Sequence, residues 1–175
     1  QGVLNLVWEH ILPALQDEPL AADQEGLASL EQKIEALAIV PPEGEAKSAE
    51  VLEGIGGPYT MEPNMLAITG LAFDFGSAES QITITTVEDE QVITAGYGTW
   101  TPGDMHIPQW ESTQMSASGA WTDEDSYVLR VIHTETPYAT TFTFHFEGGR
   151  VAMDTELNIS FGPTGFPTIK GKLTD

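Results

Sequence analysis

The chain has 175 residues, 41% of them hydrophobic, which suits one domain with a real core and a short extension. Its formal charge of −21 repels phosphate backbones and anionic bilayers, so neither nucleic acid nor a membrane surface is an expected partner. The absence of cysteine excludes disulfides, thiol catalysis and cysteine-ligated zinc, and no apolar run is long enough to span a bilayer.

The first residues carry no basic region and no cleavage site of a signal peptide. The chain starts at Gln1 rather than Met, so a piece of a longer polypeptide is expected. Residues 3–15 read as a helix, because Leu4, Trp8, Ile11 and Leu15 recur at steps of three and four and form one apolar stripe. Pro13 should kink or end it. A second helix is expected over 24–38, with Asp23 as N-cap and Leu27, Leu30, Ile34 and Leu37 as its stripe. Pro41 and Pro42 stop it. Residues 1–40 thus form a helical lead-in, and 41–57, rich in Pro, Gly and Glu, form a linker.

From residue 58 to 175 the apolar pattern changes to period two. Strands are expected over 58–62, 66–75, 80–87, 91–100, 113–121, 126–134, 139–147, 150–160 and 166–173, closely and evenly spaced. The expected fold is mainly β: an antiparallel meander closing into a lipocalin-like barrel of about eight strands, preceded by two helices.

Turn chemistry sets a register for the last four strands. A two-residue Gly148-Gly149 hairpin places Glu147 opposite Arg150, Phe146 opposite Val151 and Phe144 opposite Met153. A turn near 135–138 then sets Tyr127, Leu129 and Val131 opposite Phe146, Phe144 and Phe142. A turn at 162–164 sets Leu157 opposite Ile169 and Met153 opposite Leu173. All the large apolar groups fall on one face, and on the other Lys170 meets Glu156 and Lys172 meets Asp154.

Charge is unevenly spread. Residues 126–175 hold Arg130, Arg150, Lys170 and Lys172 against Glu135, Glu147, Asp154, Glu156 and Asp175. Every other acid lies in residues 1–125, beside only Lys33 and Lys47. Solubility explains this most simply, and an acidic face for a basic partner is the sharper reading.

No motif of reaction chemistry is visible. The chain lacks Gly-x-Ser-x-Gly, Ser-x-x-Lys, a P-loop and a dinucleotide fingerprint. His10, His106, His133 and His145 form no metal-binding spacing; the register puts His145 outside opposite Val128 and His133 inside near a strand end. Asp123-Glu124-Asp125 lacks the glycine and terminal glutamate of a calcium loop and reads as a solvated turn. Asp154, Glu156 and Asn158 alternate like ligands but read as the polar side of a strand. Trp100, Trp110, Trp121, Tyr97 and Tyr127 fit a barrel mouth less well than an ordinary core. No catalytic, cofactor-binding or metal-ligating residue is therefore expected, nor any cofactor.

Leu4-Asn5-Leu6-Val7-Trp8-Glu9-His10-Ile11-Leu12-Pro13-Ala14-Leu15 resembles the helix that leaves the catalytic domain in serine hydrolases of the β-lactamase and penicillin-binding-protein superfamily. Gly57-Pro58-Tyr59 with Asn64, Gly96-Tyr97-Gly98-Thr99-Trp100, the Trp121 hairpin, and Phe146-Glu147-Gly148-Gly149-Arg150-Val151 leading to Asn158 and Phe161-Gly162 resemble the β domain that follows it. The resemblance implies a non-catalytic, C-terminal accessory barrel that packs on a catalytic domain of the same polypeptide and supports it or restricts substrate access. The family's Ser-x-x-Lys and Tyr-x-Asn motifs are absent, so no catalytic residue carries over. A stand-alone lipocalin-like module for small molecules is the alternative, and the Leu4/Trp8/Ile11/Leu15 stripe offers a contact for a homo-oligomer.

Overall fold

The computed structural model describes residues 2–18, 21–46, 55–106 and 113–174. Two units are present, Gln1–Ile39 and Val40–Asp175.

The first unit is helical. Helix α1 (Gly2–Leu6) continues as a π turn over Val7–Ile11 and a 3₁₀ turn over Leu12–Ala14. Pro13 is the cause, because its ring crowds the carbonyl four residues back. The widened turn relieves this, and the Leu12 N–H reaches back to the Val7 carbonyl. Helix α2 (Gln24–Glu35) has Asp23 as N-cap, its carboxylate accepting from the Gly26 N–H at 2.8 Å. It ends three residues before the expected Ala38, and Leu37 lies beyond it in a turn bonded to the Ile34 carbonyl.

The second unit is the barrel. Its strands are β1 (Tyr59–Met61), β2 (Ile68–Phe75), β3 (Glu79–Thr86), β4 (Glu90–Tyr97), β5 (Thr101–Met105), β6 (Thr113–Trp121), β7 (Ser126–His133), β8 (Ala139–Glu147), β9 (Arg150–Leu157) and β10 (Ile169–Leu173). Nine of them close a ring, one more than expected: β1 to β4, then β6 to β10, with β10 returning to β1. Strict alternation of direction cannot close an odd number of strands, so one neighbouring pair must be parallel. That pair is β4 and β6, held by Gly96 opposite Ser118 and Tyr97 opposite Gly119. Strand β5, which the hydrophobic pattern missed because it contains Pro102 and Gly103, pairs with the first half of β6 beside this seam. The linker's first half is tied to the barrel, for Glu45 and Trp121 exchange both backbone hydrogen bonds at 2.9 Å.

The core is the expected inner face. Phe142, Phe144, Phe146, Leu129, Val131, Val151, Met153 and Ile169 are buried, joined by Tyr59, Leu71, Phe73, Ile82, Ile93, Trp121 and Tyr127; Leu157 and Leu173 are half-buried. Aromatic rings fill the barrel interior. Phe73 packs edge-on to Phe144 and to Phe146, each with centroids 5.0 Å apart, and Phe75 lies 4.9 Å from Trp121. Trp121 and Tyr127 belong to this core, Trp100 is half-buried, and Trp110 lies outside the described residues.

The β8–β9 hairpin has the expected register, with φ of +54° at Gly148 and +75° at Gly149 as a type I′ turn requires. Two other registers differ. Tyr127 faces Phe144 and Leu129 faces Phe142, a shift of two residues, which also moves His145 from Val128 to Ser126. Pro137 has no N–H for the ladder, so the loop opens, and the Thr136 hydroxyl accepts from the Tyr138 N–H instead. Between β9 and β10 the shift is four. Ile169 faces Met153, Lys170 faces Ala152 and Lys172 faces Arg150, so the expected partners Glu156 and Asp154 do not meet the lysines. Here Pro163 and Pro167 delay the strand, while Leu157 and Phe166 bond across the loop to Thr164 and Thr155. Both shifts are even, so no side chain changes face.

Candidate functional site on the outer wall

Three outer-face residues of adjacent strands form a polar chain. Ser126 opens β7 and lies opposite His145 of β8, and Asp154 of β9 stands diagonally beyond it. Ser126 Oγ is 3.0 Å from His145 Nδ1, and His145 Nε2 is 3.5 Å from Asp154 Oδ2. The Thr168 hydroxyl donates to Asp154 Oδ1.

These are the residue types of a hydrolytic triad, yet the proton arrangement differs. Ser126 donates its hydroxyl hydrogen to Asp125 Oδ1 at 2.8 Å. It is left to accept from the His145 Nδ1–H, whereas a nucleophilic serine must give its proton to the imidazole. Ser126 is also buried, 6% exposed, beneath the 122–125 turn. The chain acts as a cross-strand tie, and its half-exposed His145–Asp154 contact contributes at most about 1 kcal/mol.

His145 also forms one wall of a groove of about 730 Å³ on the outer face of β8, β9, β10 and β1. Ala152 is its small floor residue, in register with His145 on one side and Lys170 on the other. Arg150 and Lys172 face each other across β9 and β10, with Thr60 of β1 next in the row. Glu147, opposite Arg150, and Glu62, whose N–H bonds to the Lys170 carbonyl, also line the groove.

The remaining candidates are dispersed. His10 and His106 are exposed, and His133 is buried at the end of β7 with Nε2 3.5 Å from Thr140 Oγ1. Burial lowers the His133 pKa. Tyr127 bonds to Ser80 inside the barrel, and burial raises its pKa. Among the described residues no group of three His, Asp or Glu side chains is arranged to hold a metal ion, the Asp123-Glu124-Asp125 turn and the Asp154, Glu156, Asn158 series included. No described helix is long and apolar enough to cross a membrane.

The two ends of the barrel differ in character. Strands β1, β3, β7 and β9 run toward one rim, whose loops are 62–67, 87–89, 134–138 and 158–168. Met65, Val87, Tyr138, Ile159 and Phe161 are exposed on those loops, with Val92 close by near the start of β4. Phe161 is fully exposed, and Glu62, Glu88, Asp89 and Glu135 are interspersed among the apolar tips. The opposite rim, with loops 76–78, 98–100, 122–125 and 148–149, carries no exposed large apolar side chain among the described residues.

No protein-family model matches the chain, and no curated protein matches it.

Proposed function

We propose that the chain is a non-catalytic accessory barrel that docks through its apolar rim on the catalytic domain of a β-lactamase-like serine hydrolase, supporting that domain or restricting access to its site. The observation that carries docking is the gathering of Met65, Val87, Tyr138, Ile159 and Phe161 on the loops of one rim. Scattered exposed apolar residues are ordinary, but five on the loops of one rim, with none on the other among the described residues, favour an interface at that rim. The acids interspersed among these tips favour a protein surface bearing Lys or Arg over lipid. The identity of the partner rests on the resemblance of residues 4–15 and of the β-domain landmarks.

Two further features support an accessory role. The rings that fill the barrel compete with a small-molecule chamber. The Leu4/Trp8/Ile11/Leu15 stripe is exposed, Trp8 to 69%, and offers a second apolar surface for the same catalytic domain.

The test uses the reading frame that encodes this chain. A catalytic domain with Ser-x-x-Lys and Tyr-x-Asn motifs, produced separately, should bind the chain, and Ile159→Ser with Phe161→Ser should weaken binding at least about tenfold. The chain alone should show no turnover of a chromogenic β-lactam or an activated ester. Lack of such a domain in the frame, or binding indifferent to the rim variants, refutes docking. Turnover by the chain with phosphonate labelling of Ser126 refutes the non-catalytic assignment.

A further inference from the structure

We propose that the outer groove between β8, β9, β10 and β1 binds a small ligand through its oxyanion, a phosphate or carboxylate group. The chain has six Lys and Arg residues against a formal charge of −21, yet Arg150, Lys170 and Lys172 line this one groove. Arg150 and Lys172 are directly opposite, and Lys170 lies two residues along on the same face. Like charges in directly paired positions destabilise a sheet. Glu147 lies opposite Arg150 on its other side and the Glu62 N–H bonds to the Lys170 carbonyl, yet among the described residues none of the three cations closes an ion pair with them.

The surroundings suit an oxyanion. Ala152 leaves space between His145 and Lys170. The guanidinium of Arg150 presents a planar fork for two oxygens, and the ammonium groups of Lys170 and Lys172 are the flanking donors. A volume of about 730 Å³ is that of a small-molecule site. Glu62 and Glu147 among the lining residues leave the groove only weakly positive, and the acidic remainder of the chain repels extended polyanions. The occupant is therefore compact rather than a nucleic acid.

Inorganic phosphate and succinate are the two probes, titrated separately into the whole chain in low-salt chloride buffer and followed by backbone amide NMR. Saturable shifts confined to residues around Arg150, Ala152 and Lys170–Lys172 are expected with at least one of them. Saturation by phosphate alone assigns a phosphoryl ligand, and saturation by succinate alone assigns a carboxylate. Arg150→Gln with Lys172→Gln should weaken the saturating probe about tenfold or more, as loss of charged hydrogen bonds requires, while Lys33→Gln leaves it unchanged. These side chains are exposed, so the variants keep the native spectrum elsewhere. Failure of both probes to saturate at millimolar concentration overturns the proposal. So does equal binding by the double variant.

Discussion

Gly119→Ala tests the closure of the barrel at its parallel seam. Gly119 of β6 pairs with Tyr97 there, and a methyl at this position would overlap the hydroxyl of Tyr127 and stand 2.5 Å from its Cζ. The ring cannot swing away. Tyr127 is fully buried, with Trp121 at 5.4 Å and Phe75 at 5.0 Å between centroids, and its hydroxyl is bonded to Ser80. Overpacking of this kind costs about 1–3 kcal/mol. Loss of the Ser80 bond adds about 1 kcal/mol, so a destabilisation of about 2–4 kcal/mol is expected. Urea unfolding should show a lower midpoint with an unchanged slope. Tyr127→Phe alone should cost about 1 kcal/mol, because Ser80 keeps its contact with the Ala95 carbonyl at 3.4 Å. In the Tyr127→Phe background the alanine should cost about 1 kcal/mol less than in wild type, the coupling expected of side chains in contact. A Gly119→Ala protein within about 0.5 kcal/mol of wild type, the size of an ordinary surface change, would show that the seam yields and the steric argument is wrong.

Asn158→Ala should destabilise the barrel by about 1–2 kcal/mol in the same assay. The amide joins two loops, accepting from the Ala139 N–H at 2.8 Å and donating to the Pro137 carbonyl at 2.8 Å. His133 makes stability depend on pH: burial lowers its pKa below 6.5, so the unfolded chain takes up the proton more readily. Its contribution is therefore lost as pH falls from 6.5 through the folded-state value, and His133→Gln should flatten the urea-midpoint profile between about pH 8 and about pH 5. Lys172→Glu turns a like-charged cross-strand pair with Arg150 into an opposite one. It should raise stability by a few tenths of a kcal/mol, less at high salt, and a fall in the thermal midpoint would mean that the two cations do not repel.

The fold was legible because its evidence is redundant. Period-two burial in Phe142, Phe144 and Phe146 fixes the inside of β8, and the Gly148-Gly149 turn fixes the next strand against it. β5 was not legible, since Pro102 and Gly103 break the local signal and its pairing partner is supplied by β6 in three dimensions. The helix at 3–15 was legible as a stripe, but the π turn that accommodates Pro13 depends on backbone bonding that no side-chain pattern reports.

The outer wall was the part that reading by pattern could not reach, and parity explains why. Hydrophobic alternation determines whether a residue points in or out, so it is indifferent to a shift of two or four along the partner strand. The proline-containing loops at 134–138 and 158–168 produced such shifts. Inside the barrel they only exchange one apolar neighbour for another, as when Tyr127 meets Phe144 in place of Phe146. Outside, they change the chemistry. A shift of two brings Ser126 to His145, and a shift of four takes Lys172 from Asp154 to Arg150. Core residues can thus be assigned from parity, whereas an outer site needs the absolute register, which the proline loops set. In this chain the polar chain through His145 and the cationic groove both depend on that absolute register, and each would vanish if either strand slid by one more pleat.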